Sequence, residues 1–582
     1  MKKLGIPLLS ELLCLLLLAG CGAAPDRTPA PVTERESTGT IAYVPLDDRP
    51  VNTDRVVYLA ESLGYEVVMP EESLYHTCLD GQDPNPNGTQ YGDRAALYEW
   101  VLAQNKAGCS RYILSLDQLL SGGLVNSRSF SGEAVTLSDG TVLSEFQLID
   151  GLLSALSNGE NQVYLMDTVM RLAPTVGYNG WDLEGYETLR AYGMASRPAL
   201  TGDSLTVENI AANYGSGPDG APLNAGDFGL TAEQVAQYHR CRERKLRLID
   251  HALSASAGMD NVHFLIGVDD SAPSDSIQTS EIAWLKQAVE GRGAVLSGAD
   301  EDGMLAVCRL YGDTEYTGPA AKVRVRYFGS DGSITSSDYD HQLLRDIVDA
   351  HLDYLGAEHV DGGEDVQVLV LTRPAEDTDK FRKTAIRDLI AALEENEKKG
   401  VPTVLMDAAR NQYGTDFQQQ LVKKTELSML LGYAGFYDLA NATGIALSNG
   451  LARWLCLRQQ GTCSTAQNQA FIRTLADSLL KDICYKNRAK DQLTVYVREE
   501  LGGNPDNFAA SGTDTAAVLE KLTSLMERET ADVLKNLSQG QFLTSPDGER
   551  TGLDGLVLSE WATPWQRVFE IRIKIHVNDF VK

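Results

Sequence analysis

Two adjacent aspartates, Asp269 and Asp270, follow the apolar run 262–268. A second acidic doublet with an arginine, Asp47-Asp48-Arg49, follows the run 41–46. Paired carboxylates are the reagents of glycoside hydrolysis: one protonates the leaving oxygen, and the other serves as nucleophile, base or orienter. Acids recur at the ends of other apolar runs, at Asp117, Asp167, Asp300-Glu301 and Asp407, with Arg373 in an equivalent place. Asp269 and Asp270 are the expected catalytic pair. Asp47, Asp48, Arg49, Asn52, Asp117, Asp300, Glu301, Arg373, Asp407 and Asn441 are the expected substrate-binding groups. A single aspartate after a strand is also a common helix cap or turn residue, so the doublets and the arginine beside them carry most of the weight.

Other chemistries find less support. The eight histidines sit away from the strand tips, and there is no HxH or HExxH, so no metal and no cofactor are expected. There is no GxSxG, no P-loop and no GxGxxG following a strand, which leaves serine-hydrolase, P-loop and dinucleotide readings without a motif. Adjacent strand-tip acids resemble those of substrate-assisted glycosidases, where one acid orients an acetamido group and the other transfers the proton. The expected function is therefore a glycosidase-like hydrolase of small-molecule or carbohydrate substrates. A non-catalytic solute- or glycan-binding protein is second, and a metal-dependent hydrolase using aspartate ligands third.

Apolar runs alternate with amphipathic ones through most of the chain. Strands are expected at 41–46, 66–69, 111–116, 162–166, 262–268, 294–297, 323–328, 366–371, 401–406 and 432–434, with helices between them. That alternation implies parallel sheet, whose carboxyl ends all point one way and gather the strand-tip residues. The expected fold is α/β: a distorted (β/α)8-like barrel with a mostly helical C-terminal region. The alternative is two doubly wound lobes. Residues 40–457 form the α/β region, with a sub-boundary near 360, and 458–582 form the helical region ending in a strand. Helices are expected at 337–355 and 417–431, and the aromatic, glycine-rich insert 177–230 reads as a lid, a substrate rim or a packed excursion.

The chain has 582 residues and a formal net charge of −30, with 43% hydrophobic and 23% charged residues, values normal for a globular protein apart from the acidity. That acidity argues against nucleic acid as a partner. Lys2 and Lys3, the apolar run 12–19 and Leu18-Ala19-Gly20-Cys21 resemble a bacterial lipoprotein signal. The resemblance implies removal of residues 1–20, a lipid on Cys21 and a flexible tether over 22–39. It implies export, with membrane contact through that anchor only. Of the nine cysteines, seven remain after Cys14 and Cys21; they form no CxxC, and Cys456 and Cys463 are the nearest pair.

Several stretches together resemble the bacterial family called domain of unknown function 4127. They are Pro45-Leu46-Asp47-Asp48-Arg49-Pro50-Val51-Asn52, Ser115-Leu116-Asp117 with Gly122-Gly123-Leu124, Gly267-Val268-Asp269-Asp270 and Asp300-Glu301. Pro564-Trp565-Gln566-Arg567 with Phe569-Glu570 completes the set. In that family the segment after the last strand tends to read tyrosine, any residue, then Trp-Asn-Thr. Here it reads Tyr433-Ala434-Gly435-Phe436-Tyr437-Asp438, with Asn441 and Gly444 kept. The resemblance implies which residues belong to a site and names no reaction.

Overall fold

A computed structural model describes residue 30 and residues 32–409, 416–435 and 438–581. The signal, Cys21, half of the tether, Arg410, Asn411, Phe436 and Tyr437 lie outside the described residues. The chain is mixed α/β, built around two parallel sheets. The first contains β1 (Gly39–Val44), β2 (Tyr65–Val68), β3 (Arg111–Ser115), β4 (Gln162–Val169), β5 (Val262–Val268) and β6 (Gly293–Ser297). Its order is β2-β1-β3-β4-β5-β6, every pairing parallel. The second contains β7 (Lys322–Phe328), β8 (Glu358–His359), β9 (Val366–Leu371), β10 (Thr403–Asp407) and β11 (Leu430–Ala434), in the order β8-β7-β9-β10-β11. Its pairings are parallel as well.

These ladders do not close into an eight-stranded ring among the described residues; β2 and β6 are edges of one sheet, β8 and β11 of the other. The change of sheet falls between Ser297 and Lys322, so the acidic segment 358–365 lies inside the second sheet, beside β8. All six residues of β9 are buried, as a strand covered on both faces requires.

One core is common to both sheets. It includes Ile41 and Tyr43 from β1, and Val368 and Val370 from β9. Between them lie Leu305 and Leu310 of helix α1 (Asp302–Thr314) and Ile445 and Leu451 of helix α2 (Leu439–Gln460). Each such aliphatic side chain contributes about 1.5–3 kcal/mol on burial, so this helical layer fixes how the sheets face each other. Helix α2 carries almost no amphipathic pattern because 19 of its 22 residues are buried, which is what a helix packed on all sides must do. Its start is set by Asp340, whose carboxylate accepts the amide N–H groups of Leu439 at 3.0 Å and Ala440 at 3.4 Å.

The expected helix over 337–355 begins only at Leu344, because 337–343 form a loop that reaches the site. The expected helix over 417–431 runs from Asp416 to Lys424 and gives way to β11. Beyond α2, helix Thr465–Leu479 widens into i→i+5 turns over Leu480–Ala489. A hairpin pairs Leu556–Ala562 with Arg572–Val577. Such widened turns re-aim the side chains that follow them, here Lys490. No helix among the described residues is long and apolar enough to cross a membrane.

Candidate active site

The carboxyl ends of both sheets open onto one cavity of about 460 Å³, within the size range of small-ligand sites. From the first sheet come Arg49 after β1, Arg128 beyond β3, Arg171 after β4, Asp269 and Asp270 after β5, and Asp300 after β6. From the second come Tyr339 and Asp340 of the loop after β7, and Asp438 and Asn441 at the start of α2. Lys490, Trp565, Arg567 and Phe569 of the C-terminal region close it. Five acids face five cations, so the acidic pocket expected from the sequence is instead a mixed one.

The turn after β1 is built around Asp47. One oxygen of this fully buried carboxylate accepts the Arg49 backbone N–H and Asn52 Nδ2, both at 2.9 Å. The other accepts Arg49 Nε at 2.9 Å and Nη2 at 2.6 Å. Arg49 then reaches Asp300, with Nη1 2.9 Å from Oδ2 and a second bond from Nη2 to Oδ1. Burial opposes the Arg49 charge, and the Asp300 and Asp47 carboxylates overcome it, holding the guanidinium above its ordinary value. Asp47 and Asn52 therefore position Arg49 and lie behind the cavity wall.

Arg128 stands at the end of the short helix Leu124–Ser127. That helix is reached through Gly122 (φ 74°) and Gly123 (φ 127°), a backbone path that side-chain-bearing residues rarely follow. Arg128 Nη2 and Nε hold Asp269 Oδ2 at 2.6 and 3.1 Å, and its Nη1 donates to Thr175 at 2.8 Å. Arg171 Nη1 holds Asp270 Oδ2 at 3.0 Å, and the Tyr186 ring lies 5.5 Å below the guanidinium. Burial and then the Arg171 charge push Arg128 below its usual value. Arg171 is raised, because Asp270 and Asp269 outweigh the burial it suffers. Each aspartate thus has one oxygen fixed by an arginine and leaves Oδ1 without a hydrogen-bond partner among the described residues. The Asp270 side chain is 27% exposed, against 10% for Asp269 and 16% for Asp300, making it the most accessible of the three.

Arg49, Asp269, Asp270, Asp300 and Asn441 are the sequence-predicted residues that line this cavity. The others are elsewhere. Asp117 is buried against Lys245, which also holds Asp167 at 2.9 Å, in a closed ion cluster. Arg373 pairs with Asp377 at 2.7 Å and is half exposed. Asp407 is buried and accepts from Gln418 Nε2 at 2.7 Å. Glu301 is wholly buried beneath α2, where a Cβ on Gly444 would come within 2.3 Å of its Cγ. Neither carboxylate oxygen of Glu301 or of its neighbour Asp302 has a hydrogen-bond partner among the described residues, and burial raises both groups.

Asp48 faces the other way. It accepts His76 Nδ1 at 2.6 Å and Trp565 Nε1 at 2.8 Å, and it lines a second cavity of about 350 Å³ with His76, Glu72 and Cys78. The Trp565 ring forms the wall between the two cavities, with Arg49 stacked 5.0 Å from its centroid. Asp48, Glu72 and His76 present ligand atoms within 4.8 Å of one another, close enough for a cation. The donor set is a poor fit. His76 Nδ1 is bonded to Asp48, and Arg572 Nη1 already supplies a positive charge to Glu72 at 3.3 Å.

A family model described as a protein of unknown function, DUF4127, matches residues 41–574. The chain belongs to the DUF4127 family. Neither a curated protein nor a solved structure matches it. The family segments quoted from the sequence bear on the geometry directly. The DUF4127 segment Pro564–Glu570 delivers Trp565, Arg567 and Phe569 to the cavity, and the first segment delivers Arg49. Tyr186 comes from the insert expected as a lid, a substrate rim or a packed excursion; Arg128, Tyr339, Asp340 and Lys490 were outside the expected set. They come from loops and helix ends with no strand-tip signature, and only Arg171, two residues past β4, carried a signal of position.

Proposed function

We propose that this DUF4127 protein is a glycosidase-like hydrolase whose reaction takes place at Asp269 and Asp270. The observation that carries the reading is that both aspartates line one small-ligand cavity, each with one oxygen fixed by an arginine and the other uncommitted. Fixing a carboxylate through one oxygen leaves the second aimed for proton transfer or for a sugar hydroxyl. Asp270, the more accessible, is assigned the proton transfer. Asp269, held twice by Arg128, orients substrate and supports the charge that develops. Arg49, Asp300 and Asn441 bind hydroxyl groups, and Trp565 with Tyr186 supplies faces against which a sugar ring packs.

The second reading is a solute- or glycan-binding protein that performs no reaction. It is favoured by the arginine pairing of Asp269, Asp270 and Asp300, the three carboxylates that the first sheet brings to the cavity, which suits recognition as well as chemistry. Export, with a lipid on Cys21 as the only membrane contact, goes with either reading. A panel of aryl glycosides separates them. Turnover by the wild type, lost by at least about 100-fold in Asp270→Asn with retained ligand affinity, supports the hydrolase. Ligand binding without turnover of any member supports the binding protein.

A further inference from the structure

Three of the four arginines in the cavity are satisfied by the protein. Arg49 is held by Asp47 and Asp300, Arg128 by Asp269 and Thr175, and Arg171 by Asp270 and the carbonyls of Ala173 and Pro174. Arg567 is different. Its Nε is buried and has no hydrogen-bond partner among the described residues. Its nearest carboxylate, Asp506, is 3.7 Å from Nη2, beyond hydrogen-bond length, and its side chain is only 13% exposed. Burial lowers this guanidinium to about 10, Asp506 opposes the fall, and Arg171, Arg49 and Arg128 deepen it. A guanidinium stays charged at neutral pH even so. The cavity therefore contains a guanidinium that has no hydrogen-bond acceptor among the described residues and lies near three other arginines.

We propose that Arg567 is the anion-binding residue of this site, and that the ligand is a carbohydrate bearing an oxyanion, a carboxylate or a phosphate, which docks on its fork. The inference rests on the carbohydrate reading above for the sugar and on Arg567 for the anion. A planar guanidinium matches either oxyanion through two parallel N–H bonds. The uncommitted oxygens of Asp269 and Asp270 repel an anion, so the charged group is placed at the Arg567 end and the hydroxyl-bearing ring at the aspartate end. Trp565 and Phe569, two residues to either side of Arg567, form the apolar face between them.

The test is titration calorimetry on the mature chain with glucose, glucuronate, glucose 6-phosphate and inorganic phosphate, using wild type, Arg567→Gln and Arg567→Lys. One or both sugar anions are expected to bind at least about 30-fold more tightly than glucose, with the preference gone in Arg567→Gln, since truncating one partner of a buried charge pair costs at least this much. Arg567→Lys, which keeps the charge and loses the fork, is expected to fall between them and is the deciding variant if Arg567→Gln melts early. Glucose binding as tightly as the sugar anions overturns the anion subsite and leaves the carbohydrate reading standing. Phosphate binding as tightly as the sugar anions, and lost in Arg567→Gln, keeps the subsite and overturns the carbohydrate. Binding of none of the anions, or binding unchanged in both variants, overturns the inference.

Discussion

Asp47→Asn preserves the side-chain shape and removes its charge, at a position where the geometry leaves an amide no good orientation. Oδ1 receives two donors, the Arg49 N–H and Asn52 Nδ2, and Oδ2 receives two more from the Arg49 guanidinium. Whichever oxygen becomes NH2, two donors face a donor in a site with no solvent access. Hydrogen bonds to charged groups contribute about 1.5–3 kcal/mol each, and breaking a buried ion pair costs about 3–5 kcal/mol. Arg49 keeps its Asp300 partner, so the lower end applies and a loss of about 3 kcal/mol is expected. At roughly 2 °C per kcal/mol for a large domain, that is a fall of about 6 °C in melting temperature. Scanning calorimetry against the exposed control Asp547→Asn measures it at one scan rate, because a chain of this size need not unfold reversibly. Ligand affinity should fall as well, since Arg49 and through it Asp300 lose their support. A variant that melts within about 1 °C of wild type would refute the claim that Asp47 is the buried anchor of the turn.

Three further outcomes are expected. Lys245→Met strands Asp117 and Asp167 in a dry site and should destabilise by about 3–5 kcal/mol in urea unfolding; a loss below about 1 kcal/mol would mean that the cluster is not a closed ion network. Burial lifts the Asp407 carboxyl from its ordinary 3.8 to about 6, so the folded state holds this proton more tightly than the unfolded chain, and its contribution to stability is lost as pH rises from about 4 to about 6. Asp407→Asn removes that penalty, of order 3 kcal/mol, and Gln418 can turn its unpartnered Oε1 to the new amide. The variant should therefore gain on wild type at pH 7 and not at pH 4, while an equal effect at both would contradict the assignment. Cys456 and Cys463 are free thiols with sulfurs 2.8 Å apart, and Cys463 is lowered to about 7 by its hydrogen bond with Cys456. Exposure to oxidised glutathione should close them into a disulfide, read as two fewer titratable thiols after denaturation, and an unchanged count would argue against it.

The alternation of apolar runs and helices foretold parallel sheet because the central strands are buried on both faces and read as largely apolar stretches, as Val366–Leu371 does. How the strands would be shared between sheets was not readable, since parallel pairing leaves no local mark on a strand. The same limit governed the site. An aspartate at a strand end can turn into the cleft, as Asp270 does, or under the neighbouring helix to a lysine, as Asp117 does with Lys245. The two have the same sequence signature. Lys245 lies in a stretch of helix whose charges alternate in sign, yet it is buried, because charges alternating along a helix do not say which of them meets a buried acid. Arg567 lies nearly 300 residues from Asp270, and only the family segment around it marked it.

The central claim is that the cavity between the two sheets takes the substrate, with Asp270 at the reacting bond. A crystal structure of Asp270→Asn soaked with neutral and uronic aryl glycosides tests this most directly. The account predicts a glycoside in the cavity lined by Asp269, Asp300 and Trp565, with its glycosidic oxygen within hydrogen-bond distance of residue 270. A glycoside bound instead beside His76 and Asp48, on the far side of Trp565, would contradict it.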